Sequence, residues 1–215
     1  MISLTVTFLI IGACASWCLI RVLRFSGLGQ SHAATPQQHH THTGVIPRVG
    51  GIGLMVGFIL CFLISCIYLF DNEGIPSVYY GVLIGSLCAF LLGLIDDFRP
   101  LGARVKLVAQ VLIGVLAHEF GLEIKTVAIP FTAISLELGF FSYVLTIAWF
   151  VVLMNLMNLI DGLDGLAGGI GLMLMGLLAF LGLSDGFSLS FILAVGMAGS
   201  IFGFLLHNFP PAKVY

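Results

Sequence analysis

Long apolar stretches separated by short polar segments dominate the chain. A membrane-crossing helix needs about 20 apolar residues, and seven runs approach or reach that length: Ile2–Ile20, Gly50–Phe70, Val78–Ile95, Val105–His118, Phe140–Leu156, Leu166–Leu183 and Leu189–Leu206. The fourth is the weakest, being short and interrupted by Lys106, Gln110 and His118. Between the fourth and fifth runs the period changes. Ile124, Val127, Ile129, Ile134 and Leu136 alternate loosely with polar residues, the spacing of a strand. The pattern predicts an all-α polytopic transmembrane bundle of about seven spans with a small extracytoplasmic β-hairpin. It forms a single membrane-embedded domain over residues 1–215, with loops at 24–47 and 121–139.

Composition removes the soluble alternative. Hydrophobic residues make up 60% of the chain and charged ones 8%, against about a quarter charged in soluble domains. So few charges cannot cover a globule with polar surface. A net charge of -2 gives no reason to expect nucleic acid as a partner. The five cysteines, Cys14, Cys18, Cys61, Cys66 and Cys88, all fall inside apolar runs. They therefore read as small lipid- or helix-facing residues and not as a disulfide frame or metal site. The first run has no basic segment before it, which fits a retained helix and not a signal peptide.

Charge chooses the orientation. With the amino terminus outside, the inner segments hold Arg21, Arg24, Arg48, Arg99, Arg104, Lys106 and Lys213, seven of the eight basic residues, leaving only Lys125 outside. Such a bias over short loops sets cytoplasmic sides. The acidic residues then sort by side: Asp71, Glu73, Glu119, Glu123, Glu137 and Asp185 face out. The inner side holds only Asp96, Asp97, Asp161 and Asp164, in two tight clusters.

The first cluster is Gly93-Leu-Ile-Asp96-Asp97-Phe-Arg99-Pro-Leu-Gly-Ala-Arg104-Val-Lys106. Adjacent carboxylates at a membrane boundary repel each other and resist desolvation unless a cation joins them. A hard cation such as Mg²⁺ binds carboxylate oxygens and phosphate together. Arg99, Arg104 and Lys106 suit anionic substrate oxygens. The same run also fits a charged helix end whose cations only fix topology.

The second cluster is Asn155-Leu-Met-Asn158-Leu-Ile-Asp161-Gly162-Leu-Asp164-Gly165-Leu-Ala-Gly168-Gly169. Asn155 and Asn158, three apart, share one helix face. Each further step of three drifts about 60° around the axis, so one unbroken helix would turn Asp164 away from Asn155. Gly162 and Gly165 permit a break there. Gly168-Gly169 would then present bare amides at a helix N-terminus, where phosphate is favoured. A glycine turn with Asp caps accounts for Asp161 and Gly162, but not for two asparagines in an apolar helix. A third element, His42-Thr-Gly-Val-Ile-Pro47-Arg48-Val-Gly50-Gly51, offers Arg48 to an anion or to the membrane interface. His39, His40 and His42 read as a solvated run.

At these residues the sequence resembles the polyprenyl-phosphate N-acetylhexosamine-1-phosphate transferases (glycosyltransferase family 4), which include the phospho-MurNAc-pentapeptide translocase. The match follows chain order: Pro-Arg-x-Gly-Gly, then Asp-Asp with a lysine nine residues on, then Asn-x-x-Asn-x-x-Asp-Gly-x-Asp-Gly. The resemblance implies Mg²⁺-dependent transfer, with Mn²⁺ as a substitute ion, of GlcNAc-1-phosphate from a UDP-sugar to undecaprenyl or another polyprenyl phosphate. UMP is released and a cell-envelope glycan begins. By position, Asn158 and Asp161 look like metal ligands, while Asp161 and Asp164 support metal and donor. Asp96 and Asp97 orient or deprotonate the lipid phosphate, and Lys106, Asn155 and Arg48 hold the substrate. The implied setting is the cell inner membrane, with a homodimer among the expected partners. Two departures stand out. Ala34 and His39 occupy positions where relatives carry Asp and Arg, and the chain ends at Pro210-Pro-Ala-Lys-Val-Tyr215, ahead of an expected Gly-Asp metal ligand. The 215-residue polypeptide alone is therefore expected to be inactive. A membrane ion or solute transporter is the rival of a different class. Transporters place ionisable residues at mid-bilayer, whereas here all four inner aspartates fall at run ends.

Overall fold

The computed structural model describes residues 2–26, 46–70, 74–132, 134–183 and 188–215. The histidine run, Ala34, Asp71, Glu73, Asp185 and most of the 24–47 loop lie outside them. Seven helices and one hairpin follow in order: α1 (Ile2–Phe25), α2 (Gly50–Phe70), α3 (Ser77–Phe98), α4 (Ala103–Glu119), β1 (Thr126–Ala128), β2 (Ser135–Glu137), α5 (Phe141–Ile160), α6 (Leu166–Gly182) and α7 (Leu189–Asn208). Every run predicted from the sequence is a helix. Five of them, α1, α2, α3, α5 and α7, are long and apolar enough to cross a membrane. The other two, α4 and α6, have 17 residues each, about 25 Å of helix against a hydrocarbon layer of about 30 Å. This is a helical, multi-pass membrane protein, and its five cysteines are all free thiols.

Contacts divide the chain into two compact units. One comprises α1, α2, α6 and α7, and the other α3, α4, the hairpin and α5. In the first, α7 is the central helix, with 14 of its 20 residues buried. Its small residues let α1 approach closely: a Cβ at Gly199 would collide with the Leu9 carbonyl oxygen, and one at Gly203 with that of Ala13. With little hydrophobic drive between helices in lipid, such backbone contact supplies the association. Ser188 caps α7, its hydroxyl accepting the Phe191 N–H at 3.2 Å.

In the second unit the buried positions are few and, Ile113 apart, small or polar. Gly81 is the buried residue of α3, and Ser142 and Thr146 those of α5. The large apolar side chains of α3 and α5 point outward, including Leu91, Ile95, Val144, Trp149 and Val152. Small and polar residues inside with apolar ones outside is the arrangement lipid selects. Gly114 of α4 packs against the Ile147 backbone of α5, where an added Cβ would lie 3.1 Å from Cα.

Candidate active site

In the α3–α4 unit, helix α3 continues through Asp96 and Asp97 and stops at Phe98. Arg99 is extended, as expected immediately before Pro100. The two aspartates thus sit in the last helical turn, about 100° apart around the axis. Asp96 is half-buried and its oxygens are divided. Oδ1 accepts the Leu101 N–H at 2.8 Å, tying off the turn, and Oδ2 pairs with Lys106 Nζ at 2.6 Å. Both side chains are about 30% exposed, so solvent screens the pair and its net contribution to stability is small. What the pair fixes is the position of an ammonium group in the first turn of α4. Asp97, Arg99 and Arg104 are exposed beside it.

One helical turn beyond Lys106, on the same face of α4, lies Gln110, which is 6% exposed. Its Oε1 accepts Asn155 Nδ2 of α5 at 2.7 Å, and the same amide donates to the Val151 carbonyl at 2.8 Å. Asn155 therefore points to α4, with its amide nitrogen committed. Asn158, three residues on and exposed, shares that side of α5. Sequence reasoning noted Gln110 only as an interruption of an apolar run; the structure makes it the partner that orients Asn155.

The other unit holds Asp161, Asp164 and Arg48. As predicted, the helix breaks after Ile160, and residues Asp161–Gly165 form a turn before α6. Gly165 has φ +74°, a left-handed conformation that costs glycine little. Its N–H donates to Asn208 Oδ1 at 2.9 Å, and Asn208 Nδ2 donates to the Val214 carbonyl at 2.9 Å. Asp164 is held at both oxygens: Oδ2 accepts the Ala212 N–H at 2.9 Å and Oδ1 accepts the Tyr215 hydroxyl at 2.6 Å. The Tyr215 backbone in turn brackets Arg48, its N–H donating to the Pro47 carbonyl at 3.0 Å and its carbonyl accepting the Gly50 N–H at 2.8 Å. Burial, the bond to Asp164 and the negative charges of Asp164 and Asp161 push the Tyr215 phenol up to about 12. Beneath this strap Val214 is fully buried with Ile20 and Val49. Residues 208–215 thus join two of the predicted elements, the Arg48 segment and the Asp161–Gly165 turn, through one tyrosine. Asn208 and Tyr215 carried no signal in the sequence, because their bonds join positions up to about 170 residues apart through side-chain amide, phenol and backbone groups with no periodicity.

One expectation needs correction. The Gly169 amide is not free to bind an anion. The Gly169 N–H bonds the Gly165 carbonyl at 2.8 Å within the first turn of α6. Gly168 gives room to Leu205, whose Cδ2 would lie 2.8 Å from a Cβ there. Among the described residues no three His, Cys, Asp or Glu side chains gather as a metal site. Asn158 and Asp161 are exposed oxygen donors, the chemistry that suits Mg²⁺. Asp164, with both oxygens accepting protein donors, is arranged as a support.

Comparison with known proteins identifies the family. The model of the glycosyl transferase family 4 matches residues 79–215, a span that contains both aspartate clusters, Lys106 and both asparagines. The chain is 33% identical over 180 residues to a protein of Bacillus subtilis (strain 168) described as a probable undecaprenyl-phosphate N-acetylglucosaminyl 1-phosphate transferase, covering 84% of this chain and 49% of that one. It is 31% identical over 210 residues to the phospho-N-acetylmuramoyl-pentapeptide-transferase of Halalkalibacterium halodurans, covering 91% of this chain and 63% of the relative. The chain thus spans about half to two thirds of the length of these relatives. The family match extends over more than half of the sequence and contains the two aspartate motifs in order, so the chain belongs to the glycosyl transferase family 4.

Proposed function

We propose that the protein transfers a sugar-1-phosphate, GlcNAc-1-phosphate first among candidates, from a UDP-sugar to a polyprenyl phosphate. UMP is released, and the product starts a cell-envelope glycan. The observation that carries this reading is the coincidence of the family match with the polar residues of an otherwise apolar chain. Residues 79–215 contain Asp96, Asp97, Lys106, Asn155, Asn158, Asp161 and Asp164. Relatives at 31–33% identity are named for transfer of this kind. A transporter has no comparable support.

The reaction requires an oxygen of the lipid phosphate to attack the donor's β-phosphorus in line. The bridging P–O bond breaks and the bridging oxygen leaves with UMP. Little covalent work falls to the protein, which must position two anions and offset their charge. Lys106 Nζ, anchored by Asp96 at 2.6 Å, is assigned to the donor diphosphate. Asp97, in the same last turn of α3, is assigned to orient the lipid phosphate or take its proton. Asn155, its amide nitrogen held by Gln110 and Val151, contributes to donor binding, as does Arg48. Asn158 and Asp161 are assigned to Mg²⁺, with Mn²⁺ able to replace it. The ion supplies charge neutralisation on the phosphates. Asp164 supports the turn that carries Asp161. The positive-inside bias supports an orientation with the amino terminus outside and this chemistry at the cytoplasmic face of the inner membrane.

The test uses membranes carrying the longest reading frame that includes residues 1–215, supplied with labelled UDP-GlcNAc, undecaprenyl phosphate and Mg²⁺. Lipid-diphosphate-GlcNAc and UMP in equal amounts are expected, abolished by chelation. Absence of lipid product with every UDP-hexosamine tried would overturn the assignment.

A further inference from the structure

The β1–β2 hairpin is amphipathic in a way that its hydrogen bonds define. Thr126 pairs with Glu137, Val127 with Leu136 and Ala128 with Ser135, and the ladder extends by the Ile129 N–H to the Ile134 carbonyl at 3.0 Å. Paired residues share a face and faces alternate along a strand. One face therefore carries Val127, Ile129, Ile134 and Leu136, and the other Thr126, Ala128, Ser135 and Glu137. Among the described residues nothing covers the apolar face, whose members are 37–58% exposed. At the tip Phe131 is fully exposed and holds φ +64°, a left-handed conformation that is costly for a bulky residue.

The root of the hairpin fixes its height. The Ile124 N–H donates to Thr146 Oγ1 at 2.9 Å, and the Leu138 N–H to the Lys125 carbonyl at 2.9 Å. Thr146 is buried five residues into α5, which places the root about 7–8 Å down the axis from the start of a membrane-crossing helix. α5 has 20 residues, about 30 Å, the thickness of the hydrocarbon layer, so a root below its first residue lies no higher than the lipid headgroups. Phe140 and Phe141, 80% and 70% exposed, stand beside it at the head of α5, where aromatic rings favour the interface. Lys125 at the root pairs with Glu123 at 3.0 Å but stays 72% exposed, within reach of lipid phosphate.

The geometry points to a lipid-binding surface: the hairpin lies on its leaflet with Val127, Ile129, Phe131, Ile134 and Leu136 inserted among the acyl-chain ends, and its Thr126/Glu137 face toward water. This surface is independent of the reaction served by the carboxylates.

Spin-label accessibility tests it. Single cysteines are introduced at 126, 127, 128, 129, 131, 134, 135 and 136 after replacing the five native ones. Each variant is labelled with a nitroxide and reconstituted in phosphatidylethanolamine–phosphatidylglycerol vesicles. The expected result is a several-fold swing with period two. Oxygen accessibility exceeds that to a water-soluble nickel chelate at 127, 129, 131, 134 and 136, and the order reverses at 126, 128 and 135. Equal nickel access on both faces would overturn the proposal. So would exclusion of both reagents from the apolar face, which means that protein, from further sequence or a second copy, covers it. If removing the native cysteines costs the fold, Phe131→Trp in the otherwise unchanged protein serves instead. Its added fluorescence, relative to wild type, is expected to be quenched by brominated lipid and not by aqueous acrylamide; the reverse overturns the proposal.

Discussion

Two aspartates at the ends of apolar helices, Asp96 in the last turn of α3 and Asp164 in the turn before α6, are held in opposite ways. Asp96, in the α3–α4 unit, takes one backbone N–H and then a cation, Lys106, with both partners about 30% exposed. Asp164, in the α6–α7 unit, takes two uncharged donors, the Ala212 amide and the Tyr215 phenol. Its supporting residue Asn208 is 5% exposed. A charge pair open to water holds its lysine loosely in energy but firmly in place, and the lysine can be shared with an arriving anion. A carboxylate whose two oxygens each accept a neutral donor from a buried strap is fixed in place and stiffens the turn beside it. The same residue type is thus held by a cation in one place and by neutral donors in the other.

The largest effect is expected at the first of these. Lys106→Met should lower kcat/KM by on the order of 10²–10³-fold, the range for removing one charge-stabilising donor. Its unfolding free energy should stay within about 1 kcal/mol of wild type, because the pair is screened. Steady-state kinetics and unfolding in micelles check the two halves separately. Next comes Asn208→Ala, which strands the Gly165 N–H and the Val214 carbonyl in a buried setting. At about 1–3 kcal/mol for each unsatisfied group, a loss of roughly 2–6 kcal/mol in unfolding free energy is expected, and turnover should fall only as the folded fraction falls.

Smaller again is Tyr215→Phe, which removes one hydrogen bond to a carboxylate and should cost about 1.5–3 kcal/mol. It carries a pH signature. The folded phenol titrates at about 12, above its unfolded value of about 10, so the folded state keeps a proton that the unfolded chain releases. The contribution is complete below about pH 10 and is lost as pH rises toward about 12. Unfolding measured across that window should decline for wild type and flatten for Tyr215→Phe. The smallest effect belongs to Gln110→Leu. It releases Asn155 while filling the same space, and should raise KM for the nucleotide-sugar with kcat little changed, which Gln110→Glu should partly restore.

The apolar pattern was enough to read the helices, since lipid imposes the same requirement on every span. Gly50–Phe70 matches α2 at both ends. The reading fell short where charged residues stay helical: α1 runs on through Arg21 and Arg24 to Phe25, and α3 carries Asp96 and Asp97 to Phe98. Long basic side chains reach water from within a helix, and Asp96 finds Lys106 and the Leu101 N–H there. The hairpin was visible in its alternation. Legible too was the break at Asp161–Gly165, because only glycine makes that turn cheap. The contrast in how Asp96 and Asp164 are held was not legible. It is set by a lysine ten residues away in one case and by a tyrosine 51 residues away in the other, and nothing in the aspartates themselves distinguishes the two.

The most direct test pairs Asp96→Asn with Asp164→Asn and reads turnover and thermal unfolding on the same preparations. Asp96→Asn is expected to lose most of its turnover while unfolding at nearly the wild-type temperature. Asp164→Asn is expected to unfold several degrees lower (about 4 °C or less per kcal/mol in a chain of this size), with turnover recovered on cooling. An Asp164→Asn protein that unfolds like wild type yet is inactive at every temperature would contradict the assignment of that carboxylate to architecture.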